Sequence, residues 1–305
     1  MFPDVLNPAI DKFSTEGFEL ASKDALYAQI ATVSDIKRQS WTSSSMSHLP
    51  KLERFNGSVT YAQREQLYDS TLTPEEYALG CQIQRKLYDD ALFPEIRQIA
   101  TEFGTSVAET VETKFFDDIF NNGYVSLPET MTGMDGQCLF SASHPLSPSD
   151  ASVQSNYTTN TLSHANVLTG ILAMLSWKDS KGFLIKDMVP DILFVSAQGL
   201  NLAHQIVETE NIPGSNNFAN NMLASRTGDS KYKLKVMFCP HLTAYHWGLM
   251  SSKYAKKFCH FKWRIKPETS QTKDSDSFIG KWGVYTRFAM GFTGWQWVYQ
   301  SFATS

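Results

Sequence analysis

The chain has 305 residues, 27 basic against 31 acidic side chains for a net charge of -4, and 42% apolar composition with 13% aromatics. That apolar fraction supports a sizeable buried core in one large or two moderate domains, while the slight acidity excludes a strongly cationic nucleic-acid binder whose affinity comes from neutralising phosphates. The four cysteines, Cys81, Cys138, Cys239 and Cys259, lie far apart without a CxxC pair, so neither a disulfide framework nor a four-cysteine zinc site is suggested and a reducing compartment fits best. The start, MFPDVLNPAIDKF, has no basic-then-apolar signal. No stretch approaches the roughly 18 apolar residues that span a bilayer, so a soluble protein without a recognisable export signal is expected.

Residues 1 to about 40 carry scattered apolar positions without a long period and end in the polar run SWTSSSMSH, the pattern of a loosely structured arm. In KLERFNGSVTYAQREQLYDSTLT, residues 51–73, the NGS triplet sits between segments rich in Val, Thr and Tyr, which predicts a β-hairpin. Its apolar positions alternate with charges, leaving too little apolar surface for an isolated two-stranded ribbon. Such a hairpin needs something to lie on. TPEE at 73–76 reads as a capping box and predicts a helix over about 74–92. Pro94 opens a second helix with Ile96, Ile99, Phe103, Val107, Val111, Phe115 and Ile119 in one stripe; run to Asn121 it would be ~40 Å long. Gly104 weakens it slightly.

The Gly-, Pro- and Ser-rich segment 121–155 is expected to be irregular, with a short strand at 137–141. Helices at 163–177 and 198–210 flank the strand DILFVS, a polar loop covers 211–230, and the remainder reads as strands: YKLKVMFCP, YHWGLMSS, FCHFKWRIK and the aromatic segment FIGKWGVYTRFAMGFTGWQWVY. The class is α+β, without βαβ units or internal repeat.

Four constellations of residues could carry chemistry. In GQCLFSASHP, residues 136–145, Cys138 or Ser141 with His144 offers a nucleophile and a base, but no GxSxG elbow, acid or oxyanion loop accompanies them. Cys239, His241, His246, Cys259 and His260 are zinc-type ligand residues whose spacing matches no finger, and packing is the simpler reading. The adjacent carboxylates Asp89–Asp90 and Asp117–Asp118 diverge on a helix and cannot share a substrate. The terminal aromatics Trp282, Tyr285, Phe288, Phe292, Trp295, Trp297 and Tyr299 suggest either a packed sheet or, with few interleaved cations, a base-stacking platform. No nucleotide motif occurs. An arm, a charged hairpin and a brace helix are better explained by assembly than by catalysis.

The order of elements resembles the major capsid proteins of tailed bacteriophages with the Johnson (Hong Kong 97-like) fold, in particular the Mu-type major head subunit branch. FFDDIFNNGY through GQCLFSASHP is similar to the end of that family's spine helix and its following HP loop; VPDILFVSAQGLNLAHQIVETE, HWGLMSS and GFTGWQWVYQS support the likeness, which spans roughly 50–301. The resemblance implies an N-terminal arm at 1–40, an extended loop at 41–73, a peripheral domain from 74–155 and 278–305 with the spine helix at about 94–121, and an axial domain at 156–277. It implies a non-enzymatic structural subunit that assembles with itself into pentamers and hexamers of an icosahedral head enclosing double-stranded DNA, which its inner face meets without sequence specificity. Scaffold, portal and decoration proteins are implied as possible partners, no membrane and no cofactor, with the virion as location and the host cytoplasm during assembly. Inter-subunit contacts then fall on Arg54, Phe55, Tyr61, Arg64, Glu65 and Tyr68, and His144 with Pro145 shapes a structural turn. Lys51 is the only lysine near the hairpin and lies at its base, so the lysine–asparagine crosslink of some members is not expected. The alternatives are a Ser/Cys-His hydrolase built on the 138–144 loop and a binding module using the aromatic strand.

Overall fold

The computed structural model describes residues 2–304 apart from Glu53, Thr60, Ala91, 214–219, 225–232 and 275–278. In chain order come helices α1 (Phe2–Ser22) and α2 (Leu26–Ile30), strands β1 (Thr32–Asp35), β2 (Trp41–Met46), β3 (Gln66–Leu72) and β4 (Glu75–Gln84), and helices α3 (Arg85–Asp89) and α4 (Phe93–Phe116). A π-helical turn, Asp117–Asn121, extends α4 and is followed by β5 (Met131–Thr132), β6 (His144–Ser147), β7 (Asp150–Gln154), β8 (Tyr157–Thr158), α5 (His164–Ser176), β9 (Ile192–Val195) and α6 (Leu200–Glu208). The chain closes with β10 (Lys235–Phe238), β11 (Trp247–Met250), α7 (Ser252–Phe258), β12 (Cys259–Asp274), β13 (Ile279–Phe292) and β14 (Val298–Ser301). It divides into two units, Met1–Trp41 with Leu72–Phe115 and Phe261–Met290, and Thr42–Thr71 with Phe116–His260 and Gly291–Ser305.

The first unit is built on a sheet of order β1-β12-β13-β4. Leu6 and Ile10 of α1, Ile96 and Ala100 of α4, Ile83 of β4 and Trp282 of β13 form its buried cluster. Two expectations are corrected here. Residues 75–84 form a strand, not the start of a helix: β4 runs antiparallel to β13 over the whole register from Glu75↔Phe288 to Gln84↔Ile279. Tyr77, Leu79, Cys81 and Ile83 share one face at period two, and Tyr77 stacks on Phe288 at 4.7 Å, so cross-strand pairing outweighs the local capping signal. The N-terminal residues are not a loose arm either, because α1 lies along α4. A Cβ added at Gly17 would sit 2.4 Å from the Thr101 carbonyl oxygen, and one at Gly104 would sit 1.9 Å from that of Ser14. Gly104, a small propensity cost when read alone, is what lets the two helices touch.

The second unit is built on a five-stranded sheet of order β10-β9-β11-β14-β8. β9 pairs parallel with β10 and antiparallel with β11, and β14 pairs antiparallel with β11 and parallel with β8. The Ser163 side chain caps α5 by accepting from the Asn166 N–H at 3.2 Å. Gly170 lets α5 close on this sheet, its added Cβ being 2.9 Å from Leu249 Cδ1. Phe120 of the π-helical turn anchors the core, with ring centroids 5.3 Å from Phe194 and 6.1 Å from Trp297. A smaller sheet has the order β2-β3-β5, and β6 pairs with β7. The expected strand at 137–141 therefore falls instead at 144–147, and the supposedly irregular return contains a hairpin.

Candidate functional site: a projecting loop and the buried return beside it

The predicted hairpin over 51–73 is replaced by a longer construction. Its paired strands are β2 and β3, joined across Thr42 and Thr71, whose hydroxyls are 2.8 Å apart, so the polar run 40–48 is mostly strand. Between them residues 47–65 form a connection with no strand among the described residues. Asn56–Ser58 is a bend, with Gly57 at φ +105° and open space where a Cβ would be. Pairing starts only where one face can bury, at Leu72, Ser70 and Ser47, and the charged, coil-like tip has no such face.

Ser47 ties the two legs of the loop together. Its N–H donates to the Glu65 carbonyl at 2.8 Å, its hydroxyl accepts from the Glu65 N–H at 2.9 Å, and its carbonyl accepts from Arg64 Nε at 2.9 Å. Glu65 also meets Lys181 Nζ at 3.0 Å, and Lys51 Nζ lies 4.9 Å above the Phe183 ring. Beyond these clasps the apolar side chains stand in solvent: Leu52 is 101% exposed, Phe55 70% and Tyr61 91%. Of the six expected contact residues, Arg54, Phe55 and Tyr61 are thus on the exposed tip, while Arg64, Glu65 and Tyr68 fasten its base; the Tyr68 N–H donates to Ser45 Oγ at 3.2 Å. Ser47 was missed because a buried serine in a serine-rich run has no sequence signature.

GQCLFSASHP packs in the same unit. The structure places His144 and Pro145 at the head of β6 instead of in a turn, because the β6–β7 pairing begins at His144↔Gln154. The His144 side chain is fully buried and stacks on Trp295 with centroids 4.4 Å apart. Its Nδ1 is 2.9 Å from Asp135 Oδ2, and its Nε2 is 3.2 Å from both the Leu139 carbonyl and Asn156 Oδ1. Both ring nitrogens are therefore engaged away from Ser141 and Cys138. Ser141 Oγ contacts Gln137 at 3.3 Å and Ser143 at 3.4 Å. Burial, with the Asp135 charge, pushes the Cys138 thiol up from its ordinary value, the opposite of what an activated nucleophile needs. Asp135 and Asn156, which complete the network, were not singled out in the sequence; one lies in a glycine-rich turn and the other in a polar stretch.

The zinc-type residues do not converge. Among the described residues no group of three or more His, Cys, Asp or Glu side chains is placed to hold a metal. Cys239 and Cys259 are buried, His246 packs its ring against Phe302, and His260 meets Thr293 at 3.3 Å. Burial pushes the His246 imidazole down. The terminal aromatics Trp282, Phe288, Phe292, Trp295, Trp297 and Tyr299 are all buried and offer no stacking platform. No helix among the described residues is long and apolar enough to cross a membrane.

No curated protein matches the chain. Among solved structures it is similar to the mature capsid of bacteriophage PhiM1, at 12% identity over 92% of this chain and 88% of that one, with a TM-score of 0.58. It is similar to the bacteriophage JBD30 capsid at 16% identity over 73% and 93% of the two chains, also with a TM-score of 0.58. A virus-like particle from Pyrococcus furiosus shares the fold at 9% identity over 96% and 98%, with a TM-score of 0.54. The family model described as phage capsid protein matches residues 68–301, most of the chain. The chain therefore belongs to the phage capsid protein family, as a major capsid subunit with the Hong Kong 97-like fold.

Proposed function

We propose that the exposed 52–61 tip is the element through which one copy of this subunit engages the next, and that Arg54, Phe55 and Tyr61 are its contact residues. The observation that carries this is the exposure of Leu52, Phe55 and Tyr61 on a segment clasped at its base. Large apolar side chains held out in water by a fixed foot are the chemistry of an interface awaiting a partner. Arg64, Glu65 and Tyr68 aim the tip.

On this reading the projecting loop and the two units, one on the β1-β12-β13-β4 sheet and one on the β10-β9-β11-β14-β8 sheet, build pentamers and hexamers of a closed head around double-stranded DNA. The net charge of -4 suits an inner surface that does not hold DNA tightly. Assembly would take place in the host cytoplasm, with scaffold, portal or decoration proteins as further partners. The role is structural, without turnover: the full engagement of the His144 ring argues against the hydrolase alternative.

The test is to replace 52–61 by a short Gly-Ser bridge, which leaves β2, β3 and the Ser47 clasp intact, and to follow assembly by electron microscopy and size-exclusion chromatography. Folded subunits that no longer close into shells are expected. Shells of normal appearance would overturn the role given to the tip.

A further inference from the structure

The strongest unexplained feature is a run of backbone at positive φ: Gly133 at 101°, Met134 at 55°, Asp135 at 36° and Gly136 at 72°. Two of the four are not glycine, so surrounding contacts must hold them there. The run sits at the foot of the projecting loop. It follows β5, which shares the sheet β2-β3-β5, and a Cβ added at Gly133 would lie 1.5 Å from the Asp69 carbonyl oxygen of β3.

The contacts holding it converge on His144. The Asn156 amide is oriented by its own bonds, its Nδ2 donating to the Leu139 carbonyl at 2.8 Å and to that of Val298 at 3.3 Å, and its Oδ1 accepting from the Ser141 N–H at 3.0 Å. His144 Nε2 thus faces only acceptors, Leu139 O and Asn156 Oδ1, while Nδ1 faces the Asp135 carboxylate. A neutral imidazole has one N–H and leaves one side with two lone pairs opposed; the imidazolium satisfies every contact. Its charge is matched by Asp135, whose side chain is 2% exposed, and by the face of Trp295.

We propose that the buried Asp135–His144 pair is a latch, closed when the imidazole carries both protons, that holds the strained 133–136 turn and through it the β3 foot of the projecting loop. Opening it frees the turn to leave the left-handed region and loosens β3 at Asp69. The other titratable groups facing the pair are Tyr68 of β3 and the Cys138 thiol, which burial and the Asp135 charge both hold in the protonated form. Asp135 also lines a groove of about 730 Å³ whose walls carry Arg64, Asp179, Lys186, Asp187 and Lys257. The latch gives the subunit a proton-sensitive control over how firmly its loop is aimed.

The experiment uses the full unassembled chain. Histidine ¹⁵N NMR reads the protonation of His144, and hydrogen exchange reads residues 66–72 and 131–136. A doubly protonated ring is expected, and once the pH is raised until that signature disappears, exchange in both segments, corrected for its intrinsic rate, should accelerate by about tenfold or more, the factor of one charge-assisted hydrogen bond. Amides of α5 should not respond. Asp135→Asn should exchange fast throughout and abolish the step. A ring that is singly protonated wherever the chain is folded, or a loop foot indifferent to the change, would overturn the latch; the wild-type titration decides this even where the variant does not fold.

Discussion

The 52–61 tip and the 133–156 return belong to the same unit, yet they treat their key side chains in opposite ways. The return buries His144 and Asn156 completely and satisfies every polar atom of the His144 ring. The tip leaves Leu52, Phe55 and Tyr61 in water. Polar composition thus says little about burial: a polar segment can be interior when its groups find one another, and a partly apolar one can be exterior when its partner is another molecule.

That contrast can be broken in stages. The largest effect on stability is expected from Phe120→Ala, which empties the aromatic core beside the return; a loss of roughly 3–5 kcal/mol should appear in the denaturant midpoint. Next comes Gly133→Ala, where positive φ and the approach to Asp69 O leave no room for a Cβ. It should lose at least ~1 kcal/mol and melt earlier.

A smaller effect comes from His246. Burial depresses its folded-state pKa below the ordinary 6.5, so the unfolded state binds the proton first as pH falls through that value. Stability attributable to neutral His246 is then complete above about pH 6.5 and declines below it, until the folded form also protonates. His246→Phe should flatten that part of a melting-temperature profile. Smallest for the fold is Phe55→Ser on the exposed tip, expected to move the midpoint by no more than ~0.5 kcal/mol. The same substitution should slow or prevent shell closure followed by light scattering, and a stability loss as large as that of Gly133→Ala would mean the tip is part of the core.

That residues 51–73 lack a core of their own was legible in their charge-interleaved pattern, and so were the long helix, α5, α6 and the strands from β9 onward in their hydrophobic patterns. β4 was missed although Tyr77, Leu79, Cys81 and Ile83 alternate, since the capping signal of Thr73 to Glu76 points the other way and only the ten-residue ladder to β13 outweighs it. The helix α1 was missed because its stripe is interrupted at Ser14 and Gly17, where contact with α4 demands small side chains and not apolar ones.

Residue pattern by itself determined the α+β class, the stiff spine and a loop without a core of its own, since these follow from periodicity and from how much apolar surface a segment carries. The order of the motifs pointed to the capsid family. Only the tertiary structure decided that the N-terminus is a packed helix, that the loop is clasped at Ser47, and that His144 is a sealed partner of Asp135. Those outcomes depend on groups in different elements meeting in space, nine residues apart for Asp135 and His144 and eighteen for Ser47 and Glu65, and no local pattern encodes such a meeting.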